Sequence, residues 1–286
     1  MTSLPSLTDD EALSALLRED VPFGDLTTSG LGLAGLAGQL EWQARGPMVV
    51  CGTEFGRRLF ELAGAQAECL CPSGSTASPG QALLRARGDA ASLHAAWKTA
   101  QTLAEALSGI ATATQAIVQA VRTAGFDIPV ACTRKNFPGT RRWSFFAVRA
   151  GGGVMHRLGL SETLLVFPEH LAFLEAGERA AGIAALRQAQ PEKRIVVEVG
   201  SEDEALEAAG WGSDVLQLER FTPERLAALR ARLSAAGLHP RLAPAGGVTV
   251  ANAAAYARAG ADFLVTSYPY FAPPADIKVS IGPASA

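Results

Sequence analysis

Arg194-Ile-Val-Val-Glu-Val-Gly-Ser-Glu-Asp-Glu-Ala-Leu-Glu-Ala-Ala-Gly-Trp-Gly-Ser-Asp-Val-Leu-Gln-Leu-Glu219 decides the fold of this chain. A β-branched run at 194–199 reads as a buried strand. Residues 203–209, rich in Ala, Leu and Glu, read as a helix, and 214–218 as the next strand. The same rhythm extends both ways. Strands are expected at 128–132, 163–167, 194–199, 214–218, 241–245 and 262–266. Helices are expected between them, at 141–150, 171–189, 203–209, 223–236 and 250–259. Strand and helix in strict alternation imply a parallel sheet with right-handed crossovers. Six such units are enough for an incomplete (β/α) barrel. A doubly wound sheet is the alternative, but no Gly-x-Gly-x-x-Gly follows the first strand.

Upstream the pattern differs. A helix is expected at 9–18, followed by the turn Glu19-Asp-Val-Pro-Phe-Gly-Asp-Leu-Thr-Thr28. Strand-like pieces at 39–45 and 48–51, a helix at 53–63 and a small sheet across 67–89 come next. Then Leu93, Trp97, Ala100, Ala104 and Leu107 share one helical face, with Gly109 as the expected stop. A second helix is expected at 112–124. This divides the chain into an α+β domain over 1–110, to which the tail 270–286 is a candidate addition, and a catalytic barrel over 111–269.

Composition narrows the function. The chain has 286 residues, 48% hydrophobic and 19% charged, with a formal net charge of -3. That suits a well-buried globular protein and supplies no basic field for nucleic acid or an anionic membrane. No window approaches the ~18 apolar residues of a membrane span. The first ten residues lack a signal peptide's basic and apolar regions, so a cytoplasmic protein is expected. Cys51, Cys69, Cys71 and Cys132 form no Cys-x-x-Cys pair, which points to apolar filler rather than zinc or disulfides.

In parallel βα folds the chemistry lies just past the strands. There the sequence reads Thr133-Arg134-Lys135-Asn136, then Phe167-Pro168-Glu169-His170. Glu198 and Glu219-Arg220 follow, then Ala245-Gly246-Gly247 and Ser267. From residue 128 to 161 there is no Asp or Glu, yet Arg134, Lys135, Arg141, Arg142, Arg149 and Arg157 occur, with His156 a candidate seventh cation. Arg141, Arg142 and Arg149 read as solvated helix cations. Arg134, Lys135 and Arg157 flank a strand end and a triple-glycine loop, and they imply a multiply anionic ligand. Gly246-Gly247 before a helix lets backbone N–H groups approach a phosphate. Glu198 and Glu219 suit Mg²⁺ or ribose hydroxyls.

These residues resemble the quinolinate (nicotinate-nucleotide) phosphoribosyltransferase family. The matching pieces run in order: Glu19-Asp20 with Gly24-Asp-Leu-Thr27, Leu107-Ser-Gly-Ile-Ala-Thr112, Thr133-Arg-Lys-Asn-Phe-Pro-Gly139, Gly151-Gly-Gly-Val-Met-His-Arg-Leu-Gly-Leu160, Val197-Glu-Val199 and Gly246-Gly247. Within the family, 133–139 and 156–170 are most similar to the ModD branch, pyrophosphorylase-like proteins encoded with molybdenum transport systems. The resemblance implies an N-terminal α/β sandwich, a C-terminal open-faced α/β barrel and a homodimer with shared sites. It implies joining a carboxylated nitrogen base to phosphoribosyl pyrophosphate with Mg²⁺, then loss of carbon dioxide. Arg134, His156 and Arg157 would grip the acid. Lys135, Glu198 and Glu219 would face phosphoribosyl pyrophosphate and its metal, and Ala245, Gly246, Gly247 and Ser267 the phosphate.

The chain departs from the family pattern at four places along its length. Phe167, ahead of His170, replaces a substrate-gripping lysine, and Lys98 replaces the arginine donated by the partner subunit. Glu219-Arg220 stands for Asp-Asn, and Ala245 for serine. The acceptor half of the site is therefore expected to differ. Two other readings are a Schiff-base lyase using Lys135, which borohydride trapping would test, and a non-catalytic phosphoribosyl or oxyanion sensor linked to molybdenum transport, against which Glu198 and Glu219 weigh.

Overall fold

The alternation read in 194–219 folds as expected in the computed structural model, which describes residues 10–284. The chain forms two units. One comprises residues up to Gln115, Arg142–Gly152 and residues from Phe271 onward; the other comprises Ala116–Arg141 and Gly153–Tyr270.

In the first unit, β1 (Ala37–Ala44), β2 (Met48–Val49), β3 (Gln66–Cys69), β4 (Thr76–Ala77) and β5 (Ala82–Asp89) alternate with α1 (Asp10–Asp20), α2 (Leu26–Gly30) and α3 (Thr53–Leu62). Residue 9, where the first helix was expected to start, lies outside the described residues. The last strand of the chain, Ile277–Pro283, pairs antiparallel with β1, and the sheet continues through β5 to β3. Period-two burial along β1 sends Leu40, Trp42 and Ala44 into the core, where Trp42 meets Phe60 of α3 edge-on. The turn at 19–28 ends in a cap. Asp25 accepts the Thr27 and Thr28 N–H groups at the start of α2.

The expected stop at Gly109 is corrected here. Helix α4 runs unbroken over Ala90–Thr123, so the expected division after residue 110 falls inside it. Gly109 serves close approach rather than termination, because a Cβ there would collide with the Pro273 backbone. A helix α5 (Arg141–Ala150) presents Arg141, Arg142 and Arg149 at the surface, as read from the sequence.

The second unit holds seven parallel strands: β6 (Val130–Cys132), β7 (Val154–Met155), β8 (Leu164–Val166), β9 (Ile195–Val199), β10 (Val215–Glu219), β11 (Arg241–Ala245) and β12 (Leu264–Thr266). β7 has no counterpart in the sequence reading. Two ladders run β8-β9-β10-β11 and β12-β6-β7. They meet where the Leu242 N–H donates 2.7 Å to the Asp262 carboxylate and the Asp262 N–H donates 2.9 Å to the Leu242 carbonyl. The helices are α6 (Pro168–Leu171), α7 (Arg179–Ala189), α8 (Glu202–Gly210), α9 (Pro223–Ala235) and α10 (Ala253–Arg258). The single helix expected over 171–189 is thus interrupted between α6 and α7.

One device repeats below the strands. Arg187 bonds the Gly212 carbonyl and Asp214, whose carboxylate also accepts the Ile195 N–H. Arg230 bonds Gly260 and Asp262 in the same way, and Asp262 accepts the Leu242 N–H. The paired side chains are 32–43% exposed, so each ion pair contributes at most about 1 kcal/mol. Their main effect is to fix which strands lie side by side. Among the described residues no helix is long and apolar enough to cross a membrane.

Candidate active site

Parallel register sorts the barrel side chains into two faces. Residues such as Ile195, Val197, Leu216, Leu218 and Leu242 point outward to the helices. Leu165, Val196, Val215, Ala243 and Val265 fill the interior floor, with Phe167 packed on them. Two residues further along the same face of β9 and β10 come Glu198 and Gln217, and then Glu219. Polar chemistry therefore sits above an apolar floor at the C-terminal end of the strands.

Glu198 accepts from Gln217 Nε2 at 2.5 Å. Burial pushes its carboxyl above the ordinary range, and the charges of Glu219 and Glu169 push the same way against that of Lys135. Gln217 is 6% exposed, and its buried Oε1 has no hydrogen-bond partner among the described residues. Sequence reading missed this residue, although the alternation Val215, Gln217, Glu219 places it on the interior face. Glu219 lies 3.5 Å from Arg220, the one described non-glycine residue with positive φ, at 55°.

The glycine pair follows β11. Gly246 has φ 74°, and a Cβ there would stand 2.5 Å from Glu219 Oε1. Only glycine lets this turn pass over that carboxylate. The Gly247 carbonyl accepts from Asn252 Nδ2, while Asn252 Oδ1 takes the Thr249 N–H. Ser267, past β12, bonds Thr133 Oγ1 at 2.6 Å; Thr133 Oγ1 also accepts the Lys135 N–H. Lys135 itself is exposed.

Across the mouth stand the arginines. Arg157 is 7% exposed, and no carboxylate partners it among the described residues. Burial, then the Arg134 charge, lowers its pKa, and its guanidinium sits 5.7 Å from the Phe167 ring centroid. Phe167 stacks on His170, whose Nδ1 accepts the Phe167 N–H at 2.9 Å. Arg134, Arg157, Phe167 and His170 all line one cleft of about 730 Å³.

His156 corrects the sequence reading. Burial, reinforced by the Arg157 charge, lowers its pKa from 6.5 to about 4. It is therefore neutral at pH 7 and adds no seventh cation. Lys98, in the other unit, is exposed over the Trp97 ring and donates to Gln101.

The His156 shift has a measurable outcome. The folded pKa lies below the unfolded value, so between pH 6.5 and about 4 the unfolded chain binds more protons. Stability is complete above that window and should fall by up to about 3 kcal/mol as pH drops through it. Denaturant unfolding across pH should show His156→Gln with a shallower loss. An NMR midpoint near 6.5 would mean a solvated ring.

The chain matches the quinolinate phosphoribosyl transferase N-terminal domain over residues 25–108 and the C-terminal domain over 110–280. The chain belongs to the quinolinate phosphoribosyl transferase family. It is 50% identical over 261 residues to "Putative pyrophosphorylase ModD" of Rhodobacter capsulatus, spanning 90% of this chain and 99% of that one. It is 33% identical to a protein of Archaeoglobus fulgidus described as "Probable nicotinate-nucleotide pyrophosphorylase (carboxylating)", over 83% of this chain and 92% of that one. The crystal structure of NadC from Streptococcus pyogenes matches with a TM-score of 0.88 at 27% identity, covering 100% of both chains. As in other members of this transferase family, the fold joins an N-terminal sheet domain to a C-terminal parallel α/β domain.

Proposed function

We propose that this member of the quinolinate phosphoribosyl transferase family transfers a phosphoribosyl group from phosphoribosyl pyrophosphate to a carboxylated nitrogen heterocycle, in an acceptor pocket altered from the family pattern. The observation that carries this is the division of the barrel mouth. A buried guanidinium that no carboxylate partners among the described residues, Arg157 with Arg134 beside it, suits an acid, while Glu198, Glu219 and the Gly246-Gly247 turn suit a separate phosphoribosyl end.

In the transfer, the C1′–O bond to pyrophosphate breaks with its electron pair leaving on oxygen, and the ring nitrogen's lone pair forms the C1′–N bond. Arg134 and Arg157 hold the acceptor's carboxylate and so orient that nitrogen. Neutral His156 can donate or accept one hydrogen bond beside them without adding charge. Glu198 and Glu219 stabilise positive charge as it develops at the ribosyl carbon, and Lys135 meets the departing pyrophosphate. Glu198, Glu219 and the unpartnered Gln217 Oε1 make an all-oxygen donor set that fits Mg²⁺, which when bound neutralises pyrophosphate charge. Gly246 and Gly247, with Ser267, receive the 5′-phosphate.

A thermal-shift series tests the reading. Phosphoribosyl pyrophosphate with Mg²⁺ should raise the melting temperature by mass action, and ring carboxylates should add to it. No shift at millimolar phosphoribosyl pyrophosphate would remove the proposal. Lys135 is exposed, which gives the Schiff-base reading no desolvation and leaves it only the neighbouring Arg134 charge.

The proposal includes a homodimer in which Lys98 enters the neighbouring subunit's site. Lys98→Ala and Lys135→Ala proteins, each impaired alone, should then regain activity on mixing, because one site of a mixed dimer carries both intact residues. No recovery after confirmed subunit exchange would place each site within one chain.

A further inference from the structure

The barrel is open between β7 and β8, and β8 is the free edge of its ladder. The 730 Å³ cleft lies along that edge, within the range of about 300–1,000 Å³ typical of small-molecule pockets. Its lining divides by chemistry. Arg134, Arg157 and Arg179 supply three guanidiniums, and the buried Arg179 Nε has no hydrogen-bond partner among the described residues. Leu164, Leu171, Leu174, Ile183 and Leu186 supply apolar walls.

Direction follows from topology. β8 climbs toward Phe167 at the rim, where Arg157 stands over the ring. The chain then returns through α7 to begin β9 alongside, so Arg179 at the start of α7 lies at the rim and Leu186 lies deep. Three residue steps along β8 from Leu164 to Phe167 span ~10 Å. Seven steps along α7 from Arg179 to Leu186 also span ~10 Å. Both walls give an apolar groove of that length below a cationic head. A single six-membered ring is too short to fill it.

We infer that this cleft takes an aromatic acid whose apolar body is longer than one ring, with its carboxylate at the arginine end. The inference rests on the reading of Arg134 and Arg157 as the acceptor grip and deepens it by naming the acceptor class. A bound fused-ring acid lays its second ring against Leu174 and Ile183. A tenfold gain in affinity corresponds to ~1.4 kcal/mol, or roughly 55 Å² of apolar surface removed from water.

Calorimetry with pyridine-2-carboxylate and quinoline-2-carboxylate separates the outcomes, because the two share the ring nitrogen and carboxylate and differ by one fused ring. The larger acid should bind at least tenfold more tightly. Leu174→Asp should erase that gain, bringing the ratio of the two affinities close to one. Leu174 is 38% exposed, so the variant should fold. Arg179→Gln should weaken both acids. Equal affinities, or a gain that survives Leu174→Asp, would overturn the inference. Phosphoribosyl pyrophosphate binding, measured on the same protein, reports separately on the transferase reading: its presence with no gain sinks the acceptor class alone. Its absence sinks the transferase reading, while the acid series still decides what the cleft holds.

Discussion

Replacing Lys135 by alanine is expected to weaken phosphoribosyl pyrophosphate binding by roughly 2–5 kcal/mol, the cost of truncating one partner of a charge pair that binding desolvates. The expectation rests on where the fold puts the residue. Lys135 follows β6, its N–H tied to Thr133 Oγ1, which in turn bonds Ser267 past β12. Its backbone is thus anchored while its side chain stays exposed, and its charge already reaches Glu198. A cation held this way costs little to keep in water and gains a partner when the polyanion arrives. Calorimetry with Mg²⁺ present should show the loss in affinity with an unchanged melting temperature for the free protein. Equal affinity in Lys135→Ala would take this lysine out of the site. A loss of folding stability instead would make it a structural residue.

The barrel was legible because its strands are buried on both faces and its crossovers are short. Runs such as Ile195-Val-Val-Glu-Val199 leave little ambiguity, and the carboxylate within them marks a position that faces something other than core. Glu198 and Glu219 could be read this way. Gln217 was not, although it occupies the same alternation, because an amide carries no charge to attract notice. Its buried, unpartnered oxygen becomes visible only when its neighbours are in place. Gly109 misled for a related reason. Glycine is a common helix stop, but here its missing side chain admits Pro273, which is 164 positions away along the chain, and no local pattern encodes that approach. His156 shows the limit for charge. Its basic neighbours made it look cationic, yet one of them, Arg157, joins with burial to hold it neutral. Repeated Gly-x-Asp turns at 212–214 and 260–262 were present in the sequence, but their arginine partners lie 27 and 32 positions upstream.

Quinolinate is expected to be a poor substrate, at least about 10²-fold below an acid that fits the cleft. Two adjacent carboxylates need several cations, and the proposed acceptor pocket offers fewer than the family pattern that the sequence resembles. Phe167 stands where that pattern has a lysine, and its ring packs on the interior floor and stacks on His170. Neutral His156 does not make up the missing charge. If Lys98 reaches the site from a partner subunit, it brings a point charge where the pattern has an arginine fork. A carboxylate left less well paired in a closed site costs on the order of 1–3 kcal/mol, and each 1.36 kcal/mol is a factor of ten. Two such deficits reach 10²-fold without any other cause. The aromatic face gives the opposite bias, since it welcomes an apolar body beside the guanidinium of Arg157. Steady-state kinetics should therefore show Phe167→Lys gaining efficiency with quinolinate and losing it with quinoline-2-carboxylate. A wild-type kcat/KM for quinolinate of ~10⁴ M⁻¹s⁻¹ or above would defeat this expectation. It would make Phe167 a tolerated substitution in an otherwise ordinary quinolinate site.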